Sequence, residues 1–191
     1  MENTVSRCEW CLGDPVYTAY HDKEWGSPNH DDRLHFEFLI LEQAQAGLSW
    51  ITILRRRENY RKAYDGFDPA AVAGYGAEKI LELLNNPGII RNRRKIEASI
   101  NAAKRFLDIE REFGSFDAYI WSFTESKPVV SHYSDIREVP ASTKLAERVS
   151  RDMKSRGFSF FGPVIAYSFL QAVGVVDDHI ETCFKRKALP V

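Results

Sequence analysis

Cysteine is scarce in this sequence, and so are long apolar runs and an excess of charge of either sign. The 191 residues include three cysteines, Cys8, Cys11 and Cys183. An odd number of thiols fits a metal site or free thiols better than a disulfide framework. The apolar runs, such as FEFLIL, are too short to span a bilayer. Because the formal net charge is −1, any polyanionic partner needs a local basic surface.

The composition is that of a globular chain, with 44% hydrophobic and 28% charged residues. This length and composition predict a single domain over residues 1–191. The first residues, MENTVSRCEW, lack the basic-then-apolar pattern of a secretion signal, so a cytoplasmic location is expected. We also expect a monomer without membrane association.

The hydrophobic pattern is helical along nearly the whole chain and predicts an all-α fold with about eight short helices. There is no sustained period-two segment. Capping residues and prolines mark the predicted helix starts, and glycines mark several ends. The main starts are at Asp31 or Asp32, Ser49, Asp68-Pro69, Ser142-Thr143 and Pro163, and the main ends are at Gly47, Gly114, Gly157 and Gly174.

His179 and Cys183 are spaced four residues apart in GVVDDHIETCF, which would place both on one face of a helix. The loop-rich stretch CEWCLGDPVYTAYHDKEWG offers Cys8, Cys11 and His21. Together Cys8, His21, His179 and Cys183 would form a closed tetrahedral site for one structural Zn²⁺ that joins the two ends of the chain. Two alternatives stay open: a site that includes Cys11, and unrelated thiols and histidines.

An aromatic cluster surrounds one acid, Glu42, which falls at the edge of the apolar stripe in FLILEQAQAGLSW. A carboxylate among aromatic faces favours a flat cation over a neutral ligand, because the ring quadrupoles and the negative charge both attract positive charge. Core packing is the alternative for each aromatic residue taken singly. The members of the cluster are Trp10, Tyr17, Tyr20, Trp25, Glu42 and Trp50.

A helical hairpin is predicted at about residues 150–174, where Gly157 ends one helix and Gly162-Pro163 begins the next. Backbone N–H groups at the start of the second helix are a suitable phosphate site. Such hairpins are also common as plain packing, so the motif alone is weak evidence. Basic neighbours, Arg156 among them, strengthen the prediction of a phosphate-binding surface.

Several segments occur here in a specific order: RCEW, DPVYTAYHDKEWG, LEQAQAGLSWITILRRRENYRKAYDGFDP, GIIRNRRKI, RGFSFFGPVIAYSFLQAVGVVDDH and the final cysteine. They resemble the Tag-type 3-methyladenine DNA glycosylases, a family of the helix-hairpin-helix DNA glycosylase superfamily. The resemblance spans almost the whole chain. It implies one glycosylase domain with helical lobes around a single cleft, which excises 3-methyladenine from alkylated double-stranded DNA without cutting the backbone.

The resemblance also implies site residues. The zinc ligands would be Cys8, His21, His179 and Cys183, and the aromatic cluster with Glu42 would form the base pocket. Glu42 would accept a hydrogen bond from the exocyclic amine of the cationic base. For the DNA we expect Leu48 to enter the duplex as an apolar wedge, and the hairpin from Gly157 to Gly162, with Arg156, to grip phosphates.

Asp177 has two interpretations. Many helix-hairpin-helix glycosylases use an aspartate at this position for catalysis, whereas the Tag type does not depend on one. We therefore expect Asp177 to cap a helix that carries His179. Two other functions stay open for the chain as a whole: a non-enzymatic, zinc-stabilised nucleic-acid-binding module, and a hydrolytic zinc enzyme, which four protein ligands argue against.

Overall fold

The computed structural model describes residues 5–187, so residues 1–4 and 188–191 of the predicted domain lie outside the described range. This part of the chain is mostly helical, with ten α-helices. They are α1 (Pro15–Lys23), α2 (Asp32–Gln45), α3 (Trp50–Leu54), α4 (Arg57–Ala63), α5 (Pro69–Ala73), α6 (Ala77–Asn85), α7 (Arg93–Phe113), α8 (Phe116–Ser122), α9 (Lys144–Ser155) and α10 (Pro163–Ala172). Four 3₁₀ helices span Glu9–Cys11, Asp65–Phe67, Ile136–Glu138 and Phe184–Lys187.

Most predicted helix boundaries are confirmed, because the capping side chains act as expected. Asp31 accepts hydrogen bonds from the N–H groups of Arg33 and Leu34 at the start of α2. Asp68 does the same for α5, which has Pro69 in its first turn, and Thr143 caps α9. Side-chain acceptors of this kind satisfy N–H groups that have no partner within the helix.

Two predicted segments differ from the structure. The single helix expected over WITILRRRENYRKAY is divided into α3 and α4. The stretch expected to be rich in loops contains α1, which begins at Asp14-Pro15. Asp14 accepts hydrogen bonds from two N–H groups of the first turn, so it repeats the Asp-Pro signal that was recognised at Asp68-Pro69.

The prediction of a helix carrying His179 and Cys183 is wrong. Val176–Asp177 forms a short strand, β2, which pairs in parallel with β1 (Val129–Val130). The chain then continues to Cys183 without an α-helix. Asp177 accepts a hydrogen bond from the N–H of His179, and this local turn competes with helix formation. The all-α prediction therefore holds except for one two-stranded parallel pair in the described residues.

Helix α2 lies in the core and brings Glu42 with it. Residues 35–44 of this helix are all buried, and α2 packs against α7, α8 and α10. The N-terminal segment meets the end of α10, where the Gly26 N–H donates to the carbonyl of Gln171 over 2.8 Å. Both ends of the chain thus border the same central region. No helix among the described residues is long and apolar enough to cross a membrane.

Candidate functional site

A cleft of about 330 Å³ opens between the N-terminal segment, α2, α3 and α10. All six members of the predicted aromatic and acidic cluster line it. Five further residues that the sequence reading did not identify complete the wall: Gln45, Ile136, Val139, Ser168 and Gln171. One of these carried a detectable signal, because Gln45 lies about one helical turn after Glu42.

The aromatic walls are held by ring contacts and one hydrogen bond. Trp10 meets Tyr17 edge to face, with centroids 5.4 Å apart, and meets Trp25 at 5.0 Å. Tyr20 lies 5.5 Å from Trp50. The Tyr17 hydroxyl accepts a hydrogen bond from the backbone of Ile51 at 3.0 Å, which ties α1 to α3. These contacts fix a flat slot between rings, a shape that suits a planar ligand.

Glu42 is the only acid in this lining. Its side chain is 2% exposed, and its Oε2 atom is buried without a hydrogen-bond partner among the described residues. Burial raises the pKa of Glu42 to about 8, since desolvation disfavours the charged form. Burial, and then the charge of Glu42, raises the pKa of Tyr20 well above its usual value. Without a ligand, Glu42 therefore stays mostly protonated at neutral pH.

Two other polar atoms of the cleft are buried and have no partner in the described part of the chain. They are Nε1 of Trp50, a donor, and Oε1 of Gln45, an acceptor. Leaving a buried polar group without a partner costs about 1–3 kcal/mol. A ligand that carries both donors and acceptors on its edges recovers that cost, whereas a purely apolar ligand does not.

Three of the four predicted metal donors converge beside the cleft. One ligand atom from each of Cys8, His21 and Cys183 lies within 4.8 Å of the others, and the Cys183 thiol is 3.4 Å from Nε2 of His21. Hydrogen bonding to Cys8 lowers the pKa of Cys183 to about 4, and the same interaction raises the pKa of Cys8. A thiolate is the form in which cysteine binds a metal.

His179, the fourth predicted donor, lies next to these three. Its ring centroid is 4.9 Å from that of His21, and its Nε2 atom is buried with no partner in the described chain. Cys11 is different, because its thiol donates to the backbone carbonyl of Cys8 at 3.1 Å. The structure therefore places Cys11 outside the group of converging donors.

Each histidine of this group is oriented by a carboxylate, and each carboxylate faces an arginine. Asp22 is 2.8 Å from Nδ1 of His21 and 2.8 Å from the guanidinium of Arg7. Asp177 is 2.6 Å from Nδ1 of His179 and 3.8 Å from Arg186. Both imidazoles thus direct Nε2 inward. Carboxylates that hold the second nitrogen of a histidine are typical of metal sites, so the donors fit a structural zinc.

Asp177 does not cap a helix, because no α-helix follows it as far as residue 187, where the described range ends. Its side chain is fully buried, it orients His179, and it is not part of the lining of the cleft. The predicted role as a helix cap is therefore wrong in detail, although Asp177 does accept from the backbone of the segment that carries His179.

In the hairpin between α9 and α10, backbone carbonyl groups accept hydrogen bonds from side chains elsewhere in the protein. Gln43 donates to the carbonyl of Ser159 at 2.8 Å, and Ser150 donates to that of Phe161 at 2.7 Å. These two bonds flank Phe160, which has a positive φ of 53° and an exposed side chain. The amides of Gly157 and Phe158 donate to carbonyls of α9, so the later hairpin amides and the start of α10 remain for an anion.

Two predicted DNA-contacting side chains differ in their surroundings. Leu48 follows α2, lies in sequence between the cleft residues Gln45 and Trp50, and is 40% exposed. Arg156 is engaged within the protein: its guanidinium lies 2.6 Å from Glu112 and 2.8 Å from Asp152. Exposed cations nearby, Arg151 and Lys154, are better placed to meet a phosphate.

Comparisons with known proteins agree on one family. Residues 10–186 match the methyladenine glycosylase family. DNA-3-methyladenine glycosylase 1 of Escherichia coli (strain K12) is 45% identical over 179 residues, which cover 94% of this chain and 96% of that protein.

Two solved structures are also similar. One is 3-methyladenine DNA glycosylase I from Staphylococcus aureus, described in terms of 3-methyladenine recognition, with a TM-score of 0.92 and 38% identity over 96% of this chain and 98% of that one. The other is a tyrosine-to-phenylalanine variant of 3-methyladenine DNA glycosylase I in complex with 3-methyladenine. It has a TM-score of 0.91 and 39% identity over 94% of this chain and 97% of that one.

Proposed function

The chain belongs to the methyladenine glycosylase family, and from this premise we propose that it excises 3-methyladenine from alkylated DNA. The observation that carries the proposal is the single buried acid, Glu42, in a flat aromatic cleft. Water would add to C1′ of the deoxyribose as the bond from C1′ to the base breaks; the base leaves neutral with the electron pair of that bond, and the added water releases one proton to solvent. The products are the free base and an abasic site.

The charge of the base distinguishes 3-methyladenine from neutral adenine in this cleft. Methylation at N3 makes adenine a cation while it is attached to the sugar, and so a good leaving group. A cation between the rings favours the ionised form of Glu42, which overcomes the effect of burial on its pKa. The carboxylate then accepts a hydrogen bond from the exocyclic amine, an interaction of about 1.5–3 kcal/mol when one partner is charged. Neutral adenine gains less, because it does not stabilise the carboxylate.

The same carboxylate assists the chemistry. As the bond to the base lengthens, positive charge moves to the sugar ring, and a nearby anion in a water-poor site stabilises that charge. No member of the cleft lining carries an amine, so the lining offers no nucleophile of the kind that cleaves the strand through a Schiff base. The reaction therefore ends at the abasic site.

For the base to reach the cleft, the nucleotide must leave the helix, which costs a few kcal/mol and least for a damaged base. Leu48 is suited to fill the vacated space, because it is apolar and exposed and lies in sequence between two residues that line the cleft, Gln45 and Trp50. The hairpin amides and the exposed cations Arg151 and Lys154 would hold the flanking phosphates. We assign Arg156 to supporting the hairpin, since it is paired with two carboxylates.

A structural zinc held by Cys8, His21, His179 and Cys183 is part of the proposal. When bound, it supplies a cross-link between the N-terminal segment and the segment after β2, with no open position for chemistry. The unpartnered Nε2 of His179 and the two carboxylate-oriented imidazoles support it. Asp22 and Asp177 then act as outer-shell positioning residues.

Incubation with methylated duplex DNA, followed by chromatography of the released bases, tests the function. We expect release of 3-methyladenine and an intact backbone until the abasic sites are cleaved by hot alkali. The Glu42→Gln variant keeps the shape but loses the charge, so release should fall by roughly tenfold or more. DNA binding without any release would instead identify a non-enzymatic binding module.

We further propose that the protein acts as a monomer in the cytoplasm. A monomer is sufficient because one chain supplies every residue of the cleft and every proposed metal donor. Size-exclusion chromatography with light scattering should give a mass near 21.9 kDa, and a dimer would contradict the first part of the proposal.

A further inference from the structure

Gln171 is a cleft residue whose side-chain amide is held in one orientation. Its Nε2 atom donates to Oδ2 of Asp178 at 2.7 Å. Tyr167, one turn earlier on α10, donates its hydroxyl to the same oxygen. Asp178 is fully buried, and Gln171 is half-buried, so the carboxylate is a fixed partner for the amide.

The carboxylate of Asp178 decides which atom of the Gln171 amide is left for the cleft. A carboxylate accepts hydrogen bonds and does not donate them, so the nitrogen of Gln171 faces Asp178. The carbonyl oxygen of Gln171 is directed elsewhere, and the residue lines the cleft. Within the described part of the chain, no side-chain or backbone donor contacts this oxygen. It is therefore a free acceptor on the cleft wall.

We propose that Gln171 is a specificity-determining residue, and that Asp178 is the positioning residue that fixes its amide. This inference rests on the proposed function. An exocyclic amine carries two N–H donors, and Glu42 and Gln171 would each accept from one of them. The buried Oε1 of Gln45 is a further acceptor of the cleft, for another donor of the ligand. A base with a carbonyl oxygen in place of that amine would set acceptor against acceptor, which lowers its affinity relative to the amine.

Binding of two free bases to the zinc-loaded protein tests the role of Gln171. The probes are 3-methyladenine and 3-methylhypoxanthine, which has a carbonyl where 3-methyladenine has its amine. Quenching of the tryptophans in the cleft reports both affinities. The wild type should prefer 3-methyladenine, and Gln171→Met should reduce the ratio of the two affinities roughly five- to tenfold, the value of one hydrogen bond. An unchanged ratio would overturn the inference, because a variant with general damage weakens both bases equally.

The role of Asp178 is tested by a matched pair of variants. Asp178→Asn keeps an acceptor oxygen for Gln171 and Tyr167, so the ratio should stay near that of the wild type. Asp178→Ala frees the amide to rotate, so the ratio should fall as it does for Gln171→Met. Zinc content and the thermal midpoint are measured in parallel, since His179 is the next residue. An Asp178→Ala protein with full zinc and an unchanged ratio would refute the positioning role.

Release of 3-methyladenine from methylated DNA by the wild type is the internal reference. No release would contradict the proposed function itself. Normal release by the wild type, together with an unaltered affinity ratio in Gln171→Met, would refute only the role of Gln171.

Discussion

The indole ring of Trp25 lies against the imidazole of His179, with ring centroids 4.6 Å apart and planes at 73°. Trp25 also stacks beside His21, with ring centroids 6.1 Å apart. The same tryptophan lines the cleft. One tryptophan therefore forms a wall of the cleft and a support for two proposed metal donors. Whatever moves the histidines will move this wall.

Removal of the metal should consequently alter the cleft. We expect close to one zinc per chain by elemental analysis. Chelation should lower the thermal midpoint and shift the tryptophan emission to longer wavelength, and added zinc should reverse both, because structural zinc is coupled to folding. Active protein without metal would contradict this prediction.

Two cysteine variants provide the matched control for the metal. Cys8→Ser should lower the zinc content and the stability, because it removes a converging thiol. Cys11→Ser should retain zinc, since the Cys11 thiol bonds only to a backbone carbonyl. Equal loss of zinc in both variants would mean that Cys11 is a ligand.

The second prediction concerns stability and pH. The pKa of Glu42 rises from 4.5 in the unfolded chain to about 8 in the folded protein. The folded state thus binds more protons between these values, so this residue makes the protein less stable as pH rises from about 5 to 8. Glu42→Gln should remove that dependence. Compared with the wild type, the variant's free energy of unfolding should therefore be higher at pH 8 than at pH 5 by a few kcal/mol, on the order of 1.36 kcal/mol per pKa unit. Urea denaturation at both pH values measures it, and parallel curves for the two proteins would refute it.

The third prediction concerns excision and pH. The ionised form of Glu42 is the one that stabilises a cationic base, so kcat/KM for 3-methyladenine release should increase between pH 6 and 8 in the wild type. Since this parameter reports the pKa of the free enzyme, the profile should be half-maximal near pH 8 and level off only above that pH. The Glu42→Gln profile should be flat and low over this range. A wild-type rate that falls over the same range would show that protonated Glu42 is the active form.

The fourth prediction concerns Leu48. Leu48→Ala should reduce excision from duplex DNA several-fold while leaving the binding of free 3-methyladenine unchanged, because the side chain would act on the helix and not on the base. Leu81→Ala is the control, since Leu81 is an exposed leucine on α6. Full activity of the Leu48 variant on duplex DNA would exclude the wedge role.

The fifth prediction concerns phosphate contacts near the hairpin. Lys154→Gln should weaken the binding of any duplex to a similar extent and reduce the slope of log affinity against log salt by about 1. Lys79 on α6 pairs with Glu82, so Lys79→Gln should leave the slope unchanged. A slope that is unaffected by the change at Lys154 would place the DNA elsewhere.

The helices could largely be predicted from the sequence because their ends carry local chemical signals. Asp31, Asp68 and Thr143 cap helices through contacts with residues two or three positions away. The prediction of a helix after Asp177 is wrong because the contacts that decide this segment are not local. A spacing of four residues is compatible with a helix, but His179 and Cys183 are brought near His21 by a turn and by partners far away in sequence.

The site was predictable only in part. The aromatic residues and Glu42 lie in short segments whose pattern is distinctive, and all of them line the cleft. Gln171 was missed because it lies within an apolar helix, where nothing local reveals that a buried aspartate seven residues later will orient it. The engagement of Arg156 was missed because Glu112 is 44 positions away in sequence.

The closeness of His21 and Cys183, which are 162 positions apart, has a consequence for synthesis. Closing a chain segment of this length costs roughly 4–5 kcal/mol of loop entropy beyond a constant, and the cost is recovered only when the last of the four proposed donors is available. On the ribosome, Trp10 and Trp25 are synthesised early. Their wall of the cleft is supported only after residues 179–183 have been synthesised. A nascent chain stalled in α10 would therefore hold Glu42 and all five aromatic rings of the predicted cluster, yet lack the proposed metal donors His179 and Cys183 behind them. The support for the base cleft is completed almost last, so a shortened translation product would keep the proposed DNA contacts but recognise the damaged base poorly.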